Sequence, residues 1–424
     1  MENGIDMSIA ATARRSWEAL RGKPLRITAA AFLAWALANM DQSLFGYAVP
    51  QLMTDFGVDL NAIGVIISAS FLFAILSVTV IGLLADLWGR RLMLALALGI
   101  SAALVGLQAF ASSVTALAVL RVVGFGISAG LSPITSALVA ECSPPRLRAM
   151  MVAVLQCAYP FGWFVASILV VPIMPVFGWR GLFLTAFAVV PMAYILYRMI
   201  PDNTHYDGVV PVKLTRSPLL ELFGPVYRRR ALLCAAAFVC YGGATAGTVF
   251  YFPKFFQDVR GYTSETAALL VGSAYAVAMI GYIGGAIVGN SVVGRRRTVV
   301  LWSWLGALGL LLTVWLPQTF LQDVLAFGLT TIFLYGTSCV LTIYLVGLFP
   351  TQLRATGAAV CGSASLSVGY SIFPVLVSSS VLEIGWQWSF SIIIVPAVMA
   401  AGLLILAIGE LPSVRDAELA RSPA

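Results

Sequence analysis

The sequence predicts an all-α membrane protein of twelve transmembrane helices, arranged as two six-helix bundles. Of its 424 residues, 60% are hydrophobic and only 10% are charged. A soluble domain carries about 25% charged residues to solvate its surface, so most of this surface must face lipid. The number of long apolar stretches and the placement of the positive charges then set the helix count.

Twelve apolar stretches recur along the chain, each near the roughly 20 residues that a helix needs to span a bilayer. They divide six and six around a polar segment, 199–230, that contains four prolines. We therefore expect tails at 1–27 and 409–424 and bundles at 28–198 and 231–408, joined by a cytoplasmic linker. The predicted helices cover 28–52, 62–84, 92–110, 115–139, 150–174, 180–198, 231–253, 266–289, 298–316, 323–347, 356–378 and 387–408.

Lysine and arginine residues separate by side when successive loops are assigned to opposite faces of the membrane. With a cytoplasmic N-terminus, 21 of the 25 fall on the cytoplasmic side, against only Arg180, Lys254 and Arg260 outside, with Arg121 within a helix. Because cytoplasmic loops are enriched in positive charge, this segregation places both termini in the cytoplasm and requires an even number of spans. We expect a multi-pass protein of the inner (plasma) membrane.

The two halves repeat at a shift of about 206 residues. The run Gly-Arg-Arg follows the second predicted helix at 89–91 and the eighth at 294–296. The pair Gly-Trp opens the sixth helix at 178–179 and the twelfth at 385–386. Parallel repeats of this kind place a substrate cavity between the bundles, near the middle of the membrane.

Segment 82–91, Gly-Leu-Leu-Ala-Asp-Leu-Trp-Gly-Arg-Arg, resembles the signature loop of the major facilitator superfamily. Stretches 120–130 and 349–357 are similar to the superfamily's motifs in helix four and after helix ten. Positions 41–50 of helix one look like the aromatic-acid/proton symporters and related metabolite/proton symporters, although Ala38 stands where a second acid is usual. The resemblance implies the major facilitator fold, with a cavity lined by helices one, four, seven and ten.

Only two ionisable side chains lie deep inside the predicted helices, Asp41 and Arg121. A charge at that depth costs at least about 2.5–3.5 kcal/mol, so a functional role is the default. Desolvation favours a neutral carboxyl group and a nearby guanidinium favours the carboxylate, so Asp41 could exchange a proton as the cavity opens. We expect Asp41 to couple proton movement and Arg121 to bind an anionic substrate or to act as counter-ion. The alternatives are a fixed Asp–Arg pair, direct contact of Asp41 with cargo, and an Arg121 that only organises helix four.

Other polar and aromatic side chains are expected to face the same cavity. Helical spacing places Phe45 on the face of Asp41, and tyrosine hydroxyls with their aromatic rings suit an oxygenated, partly apolar ligand. Simple packing between helices is the alternative for each tyrosine. Besides Arg121, the expected substrate-binding residues are Phe45, Gln156, Tyr159, Tyr241, Tyr251, Tyr335 and Ser338.

By the same resemblance, charged helix ends on the cytoplasmic side form a latch that holds this side closed in one state. Charge–dipole contacts at helix termini contribute about 0.3–1 kcal/mol each. The alternative is that the arginines serve topology alone. The expected latch residues are Asp86, Gly89, Arg90, Arg91, Glu141, Arg148 and Arg354.

These patterns predict a secondary transporter that imports a small organic acid or related metabolite with protons, by alternating access. A drug or metabolite/proton antiporter and a sugar or polyol facilitator are the alternatives within the fold. A membrane enzyme or receptor is the alternative of another class, but the predicted helices hold no nucleophile–base cluster, and the single histidine, His205, lies in the linker.

The sequence contains no phosphate-binding loop, so the proton gradient, rather than ATP, is the expected energy source. Neither a cofactor nor a metal is expected. We expect a monomer in the lipid bilayer whose partners are protons and one anionic small molecule, and we expect no nucleic acid.

Overall fold

The computed structural model describes residues 22–144, 147–200, 218–289, 293–316, 319–350 and 353–408. Every regular element in these ranges is helical. The two tails, residues 201–217 of the predicted linker with His205, and four short internal segments lie outside the described residues.

The first bundle contains six helices whose ends follow from local sequence. The Asp59 side chain accepts a hydrogen bond from the Ala62 backbone N–H (2.8 Å) and caps the second helix, and Ser113 caps the fourth in the same way. The helices are α1 (Lys23–Phe56), α2 (Leu60–Trp88), α3 (Arg90–Leu107), α4 (Val114–Ala129 and Leu131–Cys142), α5 (Arg148–Gln156 and Ala158–Leu184 as far as Gly178) and α6 (from Gly178 through Thr185–Ala188 and Val189–Met199).

The second bundle follows a short helix, Pro218–Leu222, and three of its helices contain a π-helical segment, a feature often found at functional sites. The π-helical segments are Thr331–Tyr335, Ala358–Ala364 and Phe390–Ile394. The helices are α7 (Arg228–Val249 and Phe252–Arg260), α8 (Ser264–Gly289), α9 (Arg295–Trp315), α10 (Phe320–Thr330, Thr331–Tyr335 and Gly336–Leu348), α11 (Arg354–Gly357, Ala358–Ala364 and Ser365–Ser389 as far as Gly385) and α12 (from Gly385 through Phe390–Ile394 and Val395–Ala407).

Nine helical stretches of the described chain are long and apolar enough to cross a membrane. Two of them, Met150–Met199 and Ala358–Ala407, are 50 residues long, more than one span needs. Each is broken at one glycine, Gly178 or Gly385, whose backbone is not helical, so each contains two helices. With α1, a helix of 34 residues that is not among the nine, the total is twelve. The predicted fold class is confirmed.

The repeat predicted from the sequence is also present in the backbone. Gly89 and Gly294, which precede α3 and α9, have φ angles of 90° and 79°. Gly178 and Gly385, which open α6 and α12, have φ angles of 62° and 78°. A residue with a side chain is strained at a positive φ angle, whereas glycine is not. The repeated glycines therefore reflect a repeated turn geometry.

One end of the molecule carries the same hydrogen bond twice. The Trp179 indole N–H donates to Asp55 Oδ2 (2.7 Å), and the Trp386 indole N–H donates to Asp258 Oδ2 (3.0 Å). We call these the two corner contacts, and the end that carries them the outer end, following the topology that the charges predict. The opposite end, where Gly89 and Gly294 lie, is the inner end.

Two helix pairs, α5 with α8 and α2 with α11, join the bundles. Gly272 lies directly against the Ser167 side chain, where a β-carbon would have no room. Near the outer end, Ser379 Oγ donates to Asn61 Oδ1 (3.0 Å). Further along the same two helices, the rings of Phe71 and Tyr370 lie 4.6 Å apart. The two bundles therefore share one packed interface.

Candidate functional site

Arg121 lies inside the protein, on α4 where it faces α1. The residue is 1% exposed, so its charge must be balanced or hydrogen-bonded locally. Its Nη1 donates to the side-chain oxygen of Gln42 (2.7 Å) and to the Gln42 backbone oxygen (3.2 Å). Gln42 therefore holds one corner of the guanidinium in place.

Three aromatic rings surround the same guanidinium. The Arg121 carbon Cζ lies 4.5 Å from the ring centre of Phe45, 5.1 Å from that of Phe125 and 5.5 Å from that of Phe250. A desolvated cation over an aromatic face gains about 2 kcal/mol or more, which offsets part of the cost of burying the charge. Phe250 lies at the end of the first segment of α7, so the second bundle contributes a wall to the pocket around Arg121.

Asp41 is also 1% exposed, and it does not pair with Arg121 in this conformation. Within the described chain, neither of its carboxylate oxygens has a hydrogen-bond partner. The Nε and Nη2 atoms of Arg121 and the Nε2 atom of Gln42 lack one as well. A buried polar group without a partner costs about 1–3 kcal/mol, and more when it is charged. Five unpaired polar atoms on three buried residues mark this region as a place where a polar ligand or a proton would lower the energy.

A chain of rings leads from the Arg121 pocket across the interface. Phe250 lies 5.6 Å from Trp163, which stacks on Tyr275 at 5.1 Å, and Tyr275 lies 5.2 Å from Tyr335. The Tyr335 hydroxyl lies 3.1 Å from Thr248 Oγ1. The result is an aromatic wall built from α5, α7, α8 and α10.

The predicted tyrosines of the second bundle are divided between the aromatic wall and the helix contacts. Tyr241 donates to the backbone oxygens of Leu334 (3.2 Å) and Tyr335 (3.3 Å), and Tyr251 donates to the Pro374 oxygen (2.9 Å). These two hydroxyls tie α7 to α10 and to α11. Tyr335 is the predicted tyrosine that joins the aromatic wall.

The remaining predicted residues lie on α5 and α10. Tyr159 is half-buried on α5 and packs against the hydrophobic core. Gln156 and Ser338 are half-buried on the same helices. The structure thus places Phe45 directly against Arg121 and Tyr335 in the aromatic wall.

At the inner end, three of the predicted latch residues form contacts. Arg90, the first residue of α3, forms an ion pair with Glu141 at the end of α4. Arg91 Nε donates to the Tyr197 backbone oxygen (2.8 Å), and its guanidinium lies 4.0 Å above the Tyr197 ring. Gly89 supplies the positive φ that precedes them. The side chains of Asp86, Arg148 and Arg354 lie outside the described part of the structure.

Several pocket residues were not predicted from the sequence: Gln42, Phe125, Trp163, Phe250 and Tyr275. Gln42 carried a usable signal, because it is a polar residue next to Asp41 inside an apolar helix. The aromatic residues carried none, since an apolar helix of a membrane protein contains many rings and only the tertiary structure selects those that meet.

Comparisons with known proteins agree with this architecture. A family model described as the Major Facilitator Superfamily matches residues 31–365. A gallate transporter of Pseudomonas putida is 26% identical over 417 residues, covering 89% of this chain and 90% of the relative. A 4-hydroxybenzoate transporter of Pseudomonas aeruginosa is 24% identical, covering 90% and 92%. A putative niacin/nicotinamide transporter of Bacillus subtilis is 24% identical, covering 90% and 95%.

Among solved structures, a bacterial homologue of the human lysosomal transporter Spinster, inward-facing and unoccupied, superposes with a TM-score of 0.69. Its sequence is 16% identical, and the match covers 92% of this chain and 96% of the other, which establishes a shared fold. The repeated glycine turns, the twelve helices and the family match all agree. This chain is a multi-pass membrane transporter, not an enzyme, and it belongs to the major facilitator superfamily.

Proposed function

We propose that the protein imports a small organic acid, with an aromatic carboxylate as the leading candidate, together with protons. The observation that carries the proposal is the unpaired Nε/Nη2 edge of Arg121 inside a pocket of aromatic rings. The gallate and 4-hydroxybenzoate transporters among the relatives support the class of substrate. The direction of transport follows from the resemblance of helix α1 to the symporter branch.

Arg121 has the geometry to bind a carboxylate through two parallel hydrogen bonds. Gln42 occupies Nη1, and Nε and Nη2 form the edge of the guanidinium that matches a carboxylate. Phe45, Phe125 and Phe250 exclude water from that edge, which strengthens the charged hydrogen bonds. An aromatic substrate would place its ring against the wall that begins at Phe250.

Asp41 is proposed as the proton carrier. A buried carboxylate without partners is costly, so binding a proton lowers the energy of the occluded state. When the cavity opens, water stabilises the ionised form and the proton leaves. Asp41 directly precedes Gln42, the partner of Arg121, in the same turn of α1. A change in the Arg121 contacts on substrate binding would therefore be transmitted to Asp41.

The chemistry also fits the topology that we propose for the chain. The 21 positive charges assigned to cytoplasmic positions support a topology with both termini on the cytoplasmic side of the inner membrane. In alternating access, the two bundles rock around a central site. The Arg121 pocket meets this requirement, because α1 and α4 of the first bundle and α7 of the second form its walls.

Uptake of labelled 4-hydroxybenzoate into vesicles that contain the purified protein tests both roles. With an acidic exterior, the wild-type protein should accumulate the acid. Asp41→Asn should lose accumulation but keep exchange of labelled for unlabelled acid, because exchange needs no net proton movement. Arg121→Lys keeps the positive charge but cannot form two parallel hydrogen bonds with a carboxylate, so the KM for the acid should rise about tenfold or more.

Two conservative variants serve as controls for the purification, reconstitution and folding of mutant proteins. Asp59→Asn changes an exposed helix cap, and Arg228→Lys changes an exposed arginine at the start of α7. Both should transport as the wild type does. Full pH-driven accumulation by Asp41→Asn would exclude the proton role, and an unchanged KM in Arg121→Lys would exclude the carboxylate role.

A further inference from the structure

A groove lies on the outside of the first bundle, and none of its described lining residues is among those that contact Arg121. It has a volume of about 650 Å³ and runs between α3 and α6. Gly99 and Ala193 form its floor, since a β-carbon on Gly99 would lie 3.7 Å from the Ala193 β-carbon. Apolar side chains dominate its lining: Leu92, Leu96, Ile100, Leu104 and Val190, with the rings of Tyr194 and Tyr197.

The groove faces the lipid, and its length suits one acyl chain. Leu92, Leu96 and Ile100 recur every four residues along α3 and are exposed. From Leu92 to Leu104 the helix rises about 18 Å, slightly more than half of a hydrocarbon core of about 30 Å. The groove therefore extends from the inner end to the middle of the bilayer, which is the depth of one leaflet.

Positive charge lies at the inner end of the groove. Arg91 is fixed there by its hydrogen bond to the Tyr197 backbone and by its position above the Tyr197 ring, which also lines the groove. Arg198 follows Tyr197 in the last turn of α6 and is exposed. Arg91 and Arg198 therefore bring positive charge next to Tyr197, which lines the inner end of the apolar groove.

We propose that this groove binds one anionic phospholipid of the inner leaflet, with its headgroup at Arg91 and Arg198 and one acyl chain between α3 and α6. Arginine binds phosphate oxygens with two parallel hydrogen bonds, whereas a lipid with no net charge gains less from two positive charges. Because Arg91 and Arg90 open the same helix, the lipid would also stabilise the turn that carries the latch ion pair.

Native mass spectrometry of the full-length protein, titrated with phosphatidylglycerol or phosphatidylcholine of identical chains, tests the proposal. Phosphatidylglycerol should bind at least about fivefold more tightly, and Arg198→Gln should remove most of that preference, since one arginine near a membrane surface contributes about that factor. Arg228→Gln removes an exposed arginine from another helix and should leave the preference unchanged.

A second variant acts on the groove without changing charge. Gly99→Leu fills the floor and should weaken both lipids, whereas Gly99→Ala should be tolerated because only an ordinary contact to Ala193 is made. Equal affinity for the two lipids, or an unchanged preference in Arg198→Gln, would overturn the proposal. A dimer that Gly99→Leu dissociates would also overturn it, because a second copy would then occupy the groove. None of these outcomes depends on the transported substrate.

Discussion

At the scale of single residues, Gln42 determines how Arg121 is presented. An amide oxygen holds Nη1 without neutralising the guanidinium, so the positive charge remains available to a ligand. A charged partner at this position would satisfy the arginine permanently. Under the proposed function, the amide at position 42 keeps Arg121 available to the substrate, whereas an acid there would form a structural ion pair.

Gln42→Glu is expected to weaken uptake while leaving the fold intact. The new carboxylate would lie within hydrogen-bond reach of Arg121 and would compete with the carboxylate of the substrate. We expect the KM for 4-hydroxybenzoate to rise at least about tenfold and the melting temperature to stay equal or increase. Vesicle uptake and thermal unfolding measure the two effects. Normal KM in Gln42→Glu would show that the substrate does not bind Arg121.

The charges of the outer loops behave differently from Arg121. Arg260 lies 3.2 Å from Asp323 and donates to the Thr313 backbone oxygen (2.9 Å), so it ties α7 to the ends of α9 and α10. Lys254 pairs with Asp258 one turn along its own helix at 2.6 Å. Tyr262 also donates to Asp323, and burial together with that acid raises the pKa of the Tyr262 hydroxyl to about 12. These charges serve structure within the second bundle.

At the scale of helices, close approach between the bundles depends on small residues. Gly272 on α8 meets Ser167 on α5, and Gly64 on α2 meets Ser378 on α11. Interfaces between transmembrane helices are stabilised by packing and not by the hydrophobic effect, so small residues that let backbones approach matter more than in soluble proteins. The two contacts set the distance between the bundles.

Gly272→Ala is expected to reduce transport strongly because its β-carbon would lie on the Ser167 side chain. The overpacking should cost about 1–3 kcal/mol and push α5 away from α8. The second change Ser167→Gly should restore much of the uptake, since it removes the opposing side chain. Gly284→Ala on the same helix meets nothing within 4 Å and serves as the control. Wild-type uptake by Gly272→Ala alone would contradict this account.

Much at this scale could be predicted from the sequence alone. The apolar stretches identify twelve helices, and the Gly-Trp pairs identify the starts of α6 and α12, because span length and turn glycines have direct sequence signals. The helix α1 begins at Lys23, five residues before the predicted span, because helices extend beyond the apolar core. The π-helical segments and the pairing of Arg121 with Gln42 depend on neighbouring helices, so no local pattern reveals them.

At the scale of the whole molecule, the two bundles share their outer corners but differ at the site. The corner contacts of Trp179 with Asp55 and of Trp386 with Asp258 occur at equivalent positions. A basic side chain accompanies each acid, since Arg180 lies 3.1 Å from Asp55 and Lys254 lies 2.6 Å from Asp258. Each corner thus fastens the end of the first helix of its bundle to the turn before the sixth.

Trp179→Phe and Trp386→Phe are expected to lower stability by similar amounts. Each change removes one hydrogen bond to a carboxylate and should cost about 1.5–3 kcal/mol. Because the corners lie in different bundles and share no partner, the double variant should lose the sum of the two within about 0.5 kcal/mol. Thermal unfolding in a fixed detergent measures all three. A loss in the double variant far from the sum would show that the corners are coupled across the interface.

The charges of Arg121 and Asp41 are not repeated in the second half of the chain, and this asymmetry has a consequence for the transport movement. Positions 205–207 residues beyond Arg121 are Ala326, Phe327 and Gly328, and those beyond Asp41 are Ala246, Gly247 and Thr248, so neither charge has a counterpart. An anion held by Arg121 would therefore travel with the first bundle throughout the cycle. Relative to the first bundle, the bound anion would stay fixed while the second bundle moves. The ring of Phe250 would therefore separate from the anion in one state of the cycle and contact it in the other.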